Sequence, residues 1–194
     1  SAAQELEDVN IDFDSGQASS MSVSGSEEYR DYDGITGIYI SDSTGNKRLD
    51  VDVSDSDIYA QKKSSVKITV WYYDIGTGYF TITYGIRNGA SDAEPVVVEN
   101  TGEWRAHTFY IYDGVFSNGY NGFDFAVNLN SSLYGQSRCA LTVGRIETEF
   151  LSQQGIAVNV TSERAGNIFI EGDNIALDVE FKSTVFEKQE ANVS

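Results

Sequence analysis

Apolar and polar residues alternate one by one through short runs of this chain, and glycine and asparagine turns separate the runs. In Val66-Lys67-Ile68-Thr69-Val70-Trp71-Tyr72-Tyr73 the residues Val66, Ile68, Val70 and Tyr72 share one face, because successive strand side chains point to opposite sides. A period of two marks strands, and helical periodicity is nearly absent. The pattern predicts strands over Val9–Phe13, Gly37–Ile40, Arg48–Val53, Val66–Tyr73, Tyr79–Ile86, Val96–Glu99, Trp104–Tyr112, Gly122–Asn128 and Leu141–Phe150. Between them lie Ser43-Thr44-Gly45-Asn46, Gly76-Thr77-Gly78, Asn88-Gly89, Asn100-Thr101-Gly102 and Asn118-Gly119, the residue types that turns demand. Evenly spaced short strands joined this way predict an all-β chain, a two-sheet antiparallel β-sandwich over residues 1–151. Nothing in the order of elements indicates βαβ units, and there is no internal repeat.

A boundary is expected near Leu151-Ser152-Gln153-Gln154-Gly155, so that residues 152–194 form a linker and a short C-terminal β extension. Two further strands are predicted there, Ile156–Thr161 and Ile175–Phe181. So few strands rarely stand alone, so they either complete the first domain or begin another.

Composition narrows the function classes. The chain has 194 residues, 40% of them hydrophobic, with 18 Gly and one Pro, which reads as globular and long enough for a core. Thirty acids against 13 Lys and Arg give a formal charge of −17. Phosphate recognition needs clustered Lys and Arg, so neither nucleic acid nor an anionic membrane is an expected partner. An acidic surface suits solubility and neutral partners such as glycans. The lone Cys139 excludes an internal disulfide and, within Cys139-Ala140-Leu141, reads as a buried thiol. No apolar run nears the ~20 residues of a membrane span. Three N-x-[ST] sequons, at Asn130, Asn159 and Asn192, matter only in a eukaryotic secretory host.

Catalysis finds little support. His107 is the single histidine and sits within a strand. There is no G-x-S-x-G nucleophile turn, no CxxC and no HExxH. A pair of carboxylates could serve a glycosidase, but among so many acids no pair stands out.

The outward aromatics are the strongest functional signal. Trp71 and Tyr73 point away from the predicted core, and so do Tyr110 and Tyr112 in His107-Thr108-Phe109-Tyr110-Ile111-Tyr112, where Phe109 and Ile111 face inward. A wet sheet face normally carries polar residues. Large rings there make a flat amphipathic platform with which the C–H faces of a pyranose stack. Asp74, Arg87, Asn88 and Asp113, with Asn118 and Asn121, lie in adjoining loops and could bond sugar hydroxyls. Each has a plainer reading: cross-strand pairing for the rings, turn chemistry for Asp and Asn. Asp50, Asp52, Asp55 and Asp57 read as a solvated strand face rather than a calcium loop, since the EF-hand glycine is missing.

Val70-Trp71-Tyr72-Tyr73-Asp74-Ile75-Gly76-Thr77-Gly78 resembles a segment of jelly-roll, carbohydrate-binding-module-like accessory domains of bacterial polysaccharide-degrading enzymes. So do Thr101-Gly102-Glu103-Trp104, Asp113-Gly114-Val115-Phe116 and Asn121-Gly122-Phe123-Asp124-Phe125. The resemblance runs from Gly37 to Phe150, and Gly166-Asn167-Ile168-Phe169-Ile170-Glu171-Gly172-Asp173 resembles the start of an immunoglobulin-like domain. It implies a jelly roll, an extracellular or cell-surface bacterial location, other domains of a parent enzyme as partners, a monomer, and a polysaccharide or oligosaccharide ligand. It also implies a structural calcium, for which Asp12, Asp14 and Glu147, near the predicted terminal strands, are the candidates. Trp71, Tyr110 and Tyr112 depart from the family pattern, which has smaller or polar residues there. The expected function is a non-catalytic carbohydrate-binding module. A structural spacer on a catalytic domain and a small jelly-roll glycoside hydrolase or lyase remain the alternatives.

Overall fold

The computed structural model describes residues 9–54, 63–76, 78–119, 121–129, 139–151, 156–162 and 177–183. The chain divides into two compact units, Ser1–Ser152 and Gln153–Ser194. Among the described residues the first holds β1 (Val9–Asp12), β2 (Gln17–Ser19), β3 (Met21–Ser24), β4 (Tyr29–Tyr32), β5 (Ile35–Ser41), β6 (Arg48–Val53) and β7 (Lys63–Tyr73). It continues with β8 (Gly78–Ile86), β9 (Gly89–Asp92), β10 (Val96–Val98), β11 (Trp104–Val115), β12 (Phe125–Leu129) and β13 (Ala140–Leu151). The second unit contains the antiparallel pair β14 (Ile156–Ser162) and β15 (Leu177–Ser183).

The first unit is a two-sheet antiparallel β-sandwich of jelly-roll type. One sheet has seven strands, ordered β11-β7-β13-β1-β2, with β5 also on β13 and β4 on β5. The other has six, ordered β10-β8-β12-β6-β3, with β9 on β8. β13 changes partner midway: its first half pairs with β5 and its second with β1. A bulge between Val143 and Arg145 marks the change, and the Phe13 N–H donates to the Gly144 carbonyl at 2.9 Å.

The inward residues foreseen on β7 and β11 are buried: Val66, Ile68, Val70, Tyr72, Phe109 and Ile111. They meet Phe80, Ile82, Phe125, Val127, Leu49 and Val51 of the other sheet, where Tyr72 and Phe80 pack edge to face at 4.8 Å. Burying each such side chain stabilises the fold by about 1.5–3 kcal/mol. Cys139 is buried, with its sulfur where a Cβ on Gly78 would fall.

Four strands escaped the sequence pattern, β2, β3, β4 and β9, because they are short and largely polar. The predicted strand from Gly122 begins instead at Phe125. Gly122 adopts φ +88°, and the Asp124 carboxylate turns back to accept the N–H groups of Val53 at 2.9 Å and Asn118 at 3.1 Å. Asp50 is buried rather than solvated, because Arg48 pairs with it at 2.7 Å. Asp55 and Asp57 lie outside the described residues.

Candidate functional site

The outer face of the seven-stranded sheet carries the aromatic residues, and backbone register sets their order. Trp71 stands opposite Ala106 on one side and Arg145 on the other. Tyr110 stands opposite Lys67, four residues earlier on β7. At about 3.3 Å of rise per residue, Trp71 and Tyr110 are separated by about 13 Å along the strands. That is room for a short oligosaccharide rather than one ring. Tyr110 is exposed, and Tyr112 lies beside it with ring centroids 6.5 Å apart and planes at 18°. Burial, then the neighbouring Tyr110, raises the Tyr112 phenol pKa above its ordinary value.

A polar cleft of about 200 Å³ adjoins these rings, lined by Asn10, Lys67, Thr69, Arg145, Glu147, Thr148 and Glu149. Lys67 pairs with Glu149 at 2.7 Å, and Arg145 pairs with Glu147. The Arg145 guanidinium lies 5.4 Å from the Trp71 ring centroid, and its Nε is buried without a hydrogen-bond partner. Thr69 and Thr108 exchange a side-chain hydrogen bond at 2.9 Å between the two ends of the platform. The sheet thus offers large rings at two places with a field of donors and acceptors between them. Of the cleft residues the sequence singled out Glu147 alone, as a metal candidate, because each of the others reads as an ordinary solvated strand position.

Tyr73 does not belong to the open platform. It is buried, stacked on Tyr32 with centroids 4.1 Å apart, edge-on to Trp104 at 5.4 Å, and its hydroxyl donates to the Gly102 carbonyl at 2.9 Å. Asp74 is likewise no ligand group. Its carboxylate is buried and accepts the N–H groups of Glu99 at 2.8 Å, Asn100 at 3.1 Å and Thr101 at 3.2 Å, and the Thr101 hydroxyl at 2.7 Å. Arg105 adds a contact at 3.3 Å and pairs with Glu99 as well. Burial alone would raise the Asp74 pKa, but the bonds from Thr101, Glu99 and Arg105 hold it below the ordinary value.

Asp113 turns to the opposite sheet, where the Tyr84 hydroxyl donates to it at 2.9 Å. A bulge between Ile111 and Gly114 breaks the alternation there. Burial, with Asp113 opposing the phenolate, pushes the Tyr84 pKa up to about 12, although Ser91 works against the shift. Arg87 and Asn88 form the exposed turn between β8 and β9, on the other sheet. Of the ten ligand candidates, the outer face of the seven-stranded sheet carries Trp71, Tyr110 and Tyr112.

Asp12 caps a local turn, accepting the N–H groups of Asp14 and Ser15, both at 3.0 Å. Asp14 accepts from the Thr36 N–H at 2.8 Å, and Glu147 pairs with Arg145. Among the described residues no group of three His, Cys, Asp or Glu side chains lies close enough to hold a metal ion.

No family model and no curated protein matches this chain. Among solved structures it is similar to a family 29 carbohydrate-binding module variant complexed with cellulohexaose, at 10% identity and TM-score 0.42, covering 75% of this chain and 93% of that one. A family 29 module from Piromyces equi aligns at 11% identity and TM-score 0.38, covering 68% and 81%. A module from Cellvibrio mixtus lichenase 5A, in complex with cellotriose, aligns at 15% identity and TM-score 0.30, covering 75% and 98%. All three are distant likenesses.

Proposed function

We propose that the chain is a non-catalytic carbohydrate-binding module that holds a larger secreted enzyme on polysaccharide. The observation that carries this reading is the outer sheet face on which Trp71, Tyr110 and Tyr112 flank a polar cleft. Pyranose rings present apolar C–H faces and polar rims. Aromatic side chains meet the faces with few rotors to freeze. Thr69, Asn10 and the two ion pairs meet the rims with both donors and acceptors. The net charge of −17 favours neutral chains over acidic ones.

The test is affinity electrophoresis of the full chain in gels containing mixed-linkage β-glucan, arabinoxylan, galactomannan or soluble starch, beside a reducing-sugar assay. Retardation in at least one gel without sugar release supports the proposal. Sugar release points to a hydrolase. No retardation in any gel points to a spacer whose aromatic face packs on another domain, since exposed apolar patches also mark protein interfaces.

A further inference from the structure

The aromatic platform has one blocked end, and the block comes from an unexpected strand. Among the described residues β4 pairs with β5 alone. Yet the carbonyl of Tyr32, its last residue, accepts a hydrogen bond at 3.0 Å from Nε1 of Trp104 on β11. β7 and β13 lie between β11 and β5 in the sheet. The β4–β5 hairpin tip therefore reaches back across the outer face instead of continuing the sheet sideways. Asp33 and Gly34 make this fold-over possible as a tight two-residue turn, at φ +56° and +78°. Asp14 secures it by accepting the Thr36 N–H at 2.8 Å.

The consequence falls on β7. Tyr73 is the next outward residue after Trp71, and Tyr32 lies stacked over it at 4.1 Å with planes at 10°. Beyond Trp71 the face thus steps up by an aromatic ring. In the other direction it runs from Trp71 past Thr69 and Lys67 to Tyr110, which is 54% exposed.

Resting on the carbohydrate-binding reading above, we propose that this face takes the end of a neutral polysaccharide chain. The terminal ring sits on Trp71 against the Tyr32 step, and the following rings run out over Tyr110 and Tyr112. A chain interior would have to pass through the space that Tyr32 fills. Both cleft cations, Lys67 and Arg145, already have carboxylate partners, so a uronate would compete with Glu149 and Glu147 for them.

The experiment measures binding capacity per gram for each polysaccharide of the panel that binds, before and after partial acid hydrolysis at constant mass. A chain-end site predicts that capacity rises in proportion to the number of chain ends. Capacity that stays constant per gram overturns the chain-end inference and leaves carbohydrate binding intact. Failure to bind any of the polysaccharides overturns both. Tyr32→Ala should uncover Tyr73, raise capacity on intact chains several-fold and abolish the dependence on hydrolysis, while Tyr32→Phe behaves as the native chain. A folded Tyr32→Ala that still counts chain ends overturns the role of the hairpin. If that variant does not fold, the native titration decides alone.

Discussion

The indole of Trp104 lies directly on Gly144: a Cβ on that glycine would stand 2.7 Å from Cζ3 of the ring. Gly144 sits in the bulge where β13 exchanges β5 for β1, so the absent side chain gives the indole a seat on the sheet. Trp104 in turn holds Tyr32 through its Nε1 and packs on Tyr73. Gly144→Ala should therefore destabilise the first unit by about 1–3 kcal/mol, the usual cost of overpacking against a rigid ring. Urea unfolding followed by fluorescence measures it, and an unchanged midpoint would contradict the packing.

Asp74 organises the Glu99–Thr101 turn. Asp74→Ala strands three backbone N–H groups and removes one of the two carboxylate partners of the exposed Arg105, which should cost about 1–3 kcal/mol. Its pKa is lowered on folding. The stability it contributes is therefore present above the ordinary carboxylate pKa of about 3.9, and is lost as pH falls through the lower folded-state value. Unfolding free energies measured from pH 6 to 2 should fall steeply in the native protein and more shallowly in Asp74→Asn.

Tyr84 predicts the opposite limb of the pH profile. Its folded pKa of about 12 exceeds the ordinary value of about 10. The associated stability is full below about pH 10 and lost as pH rises towards the folded value. Tyr84→Phe should show a weaker alkaline decline. Absorbance titration of the phenolates should reveal one fewer late-titrating group in that variant.

Much of this was legible in the residues. Strict alternation identified β7 and β11 and assigned Trp71, Tyr110 and Tyr112 to the outer face, because a pleated strand leaves no other choice. Alternation fixes the face but not what covers it. Tyr73 has the same parity as Trp71, yet lies under Tyr32 from β4, whose sequence Tyr-Arg-Asp-Tyr shows no apolar period. Asp74 and Asp113 follow a strand end and a bulge, where parity no longer tells direction, and both became structural acceptors. The polar cleft was invisible because Lys67, Arg145, Glu147 and Glu149 gain meaning only when β7 and β13 are paired.

The platform's outer end gives a prediction that separates binding from stability. Tyr110 is exposed, with its neighbour Tyr112 as its only ring contact among the described residues. Tyr110→Ala should leave the unfolding free energy from urea titration within about 0.5 kcal/mol of native, as surface changes usually do. It should weaken binding to the retarding polysaccharide about tenfold, equivalent to about 1.4 kcal/mol. Equal loss of stability and affinity would mean that the ring serves the sheet rather than a ligand.

The most direct test uses Trp71 as its own reporter. The chain carries two Trp residues, so Trp104→Phe leaves Trp71 as the single indole. The emission of this variant should show a saturable blue shift when the retarding polysaccharide is added, and Trp71→Ala should lose retardation. Retardation with no change in Trp71 emission, or retained in Trp71→Ala, would contradict the placement of the binding face on the seven-stranded sheet.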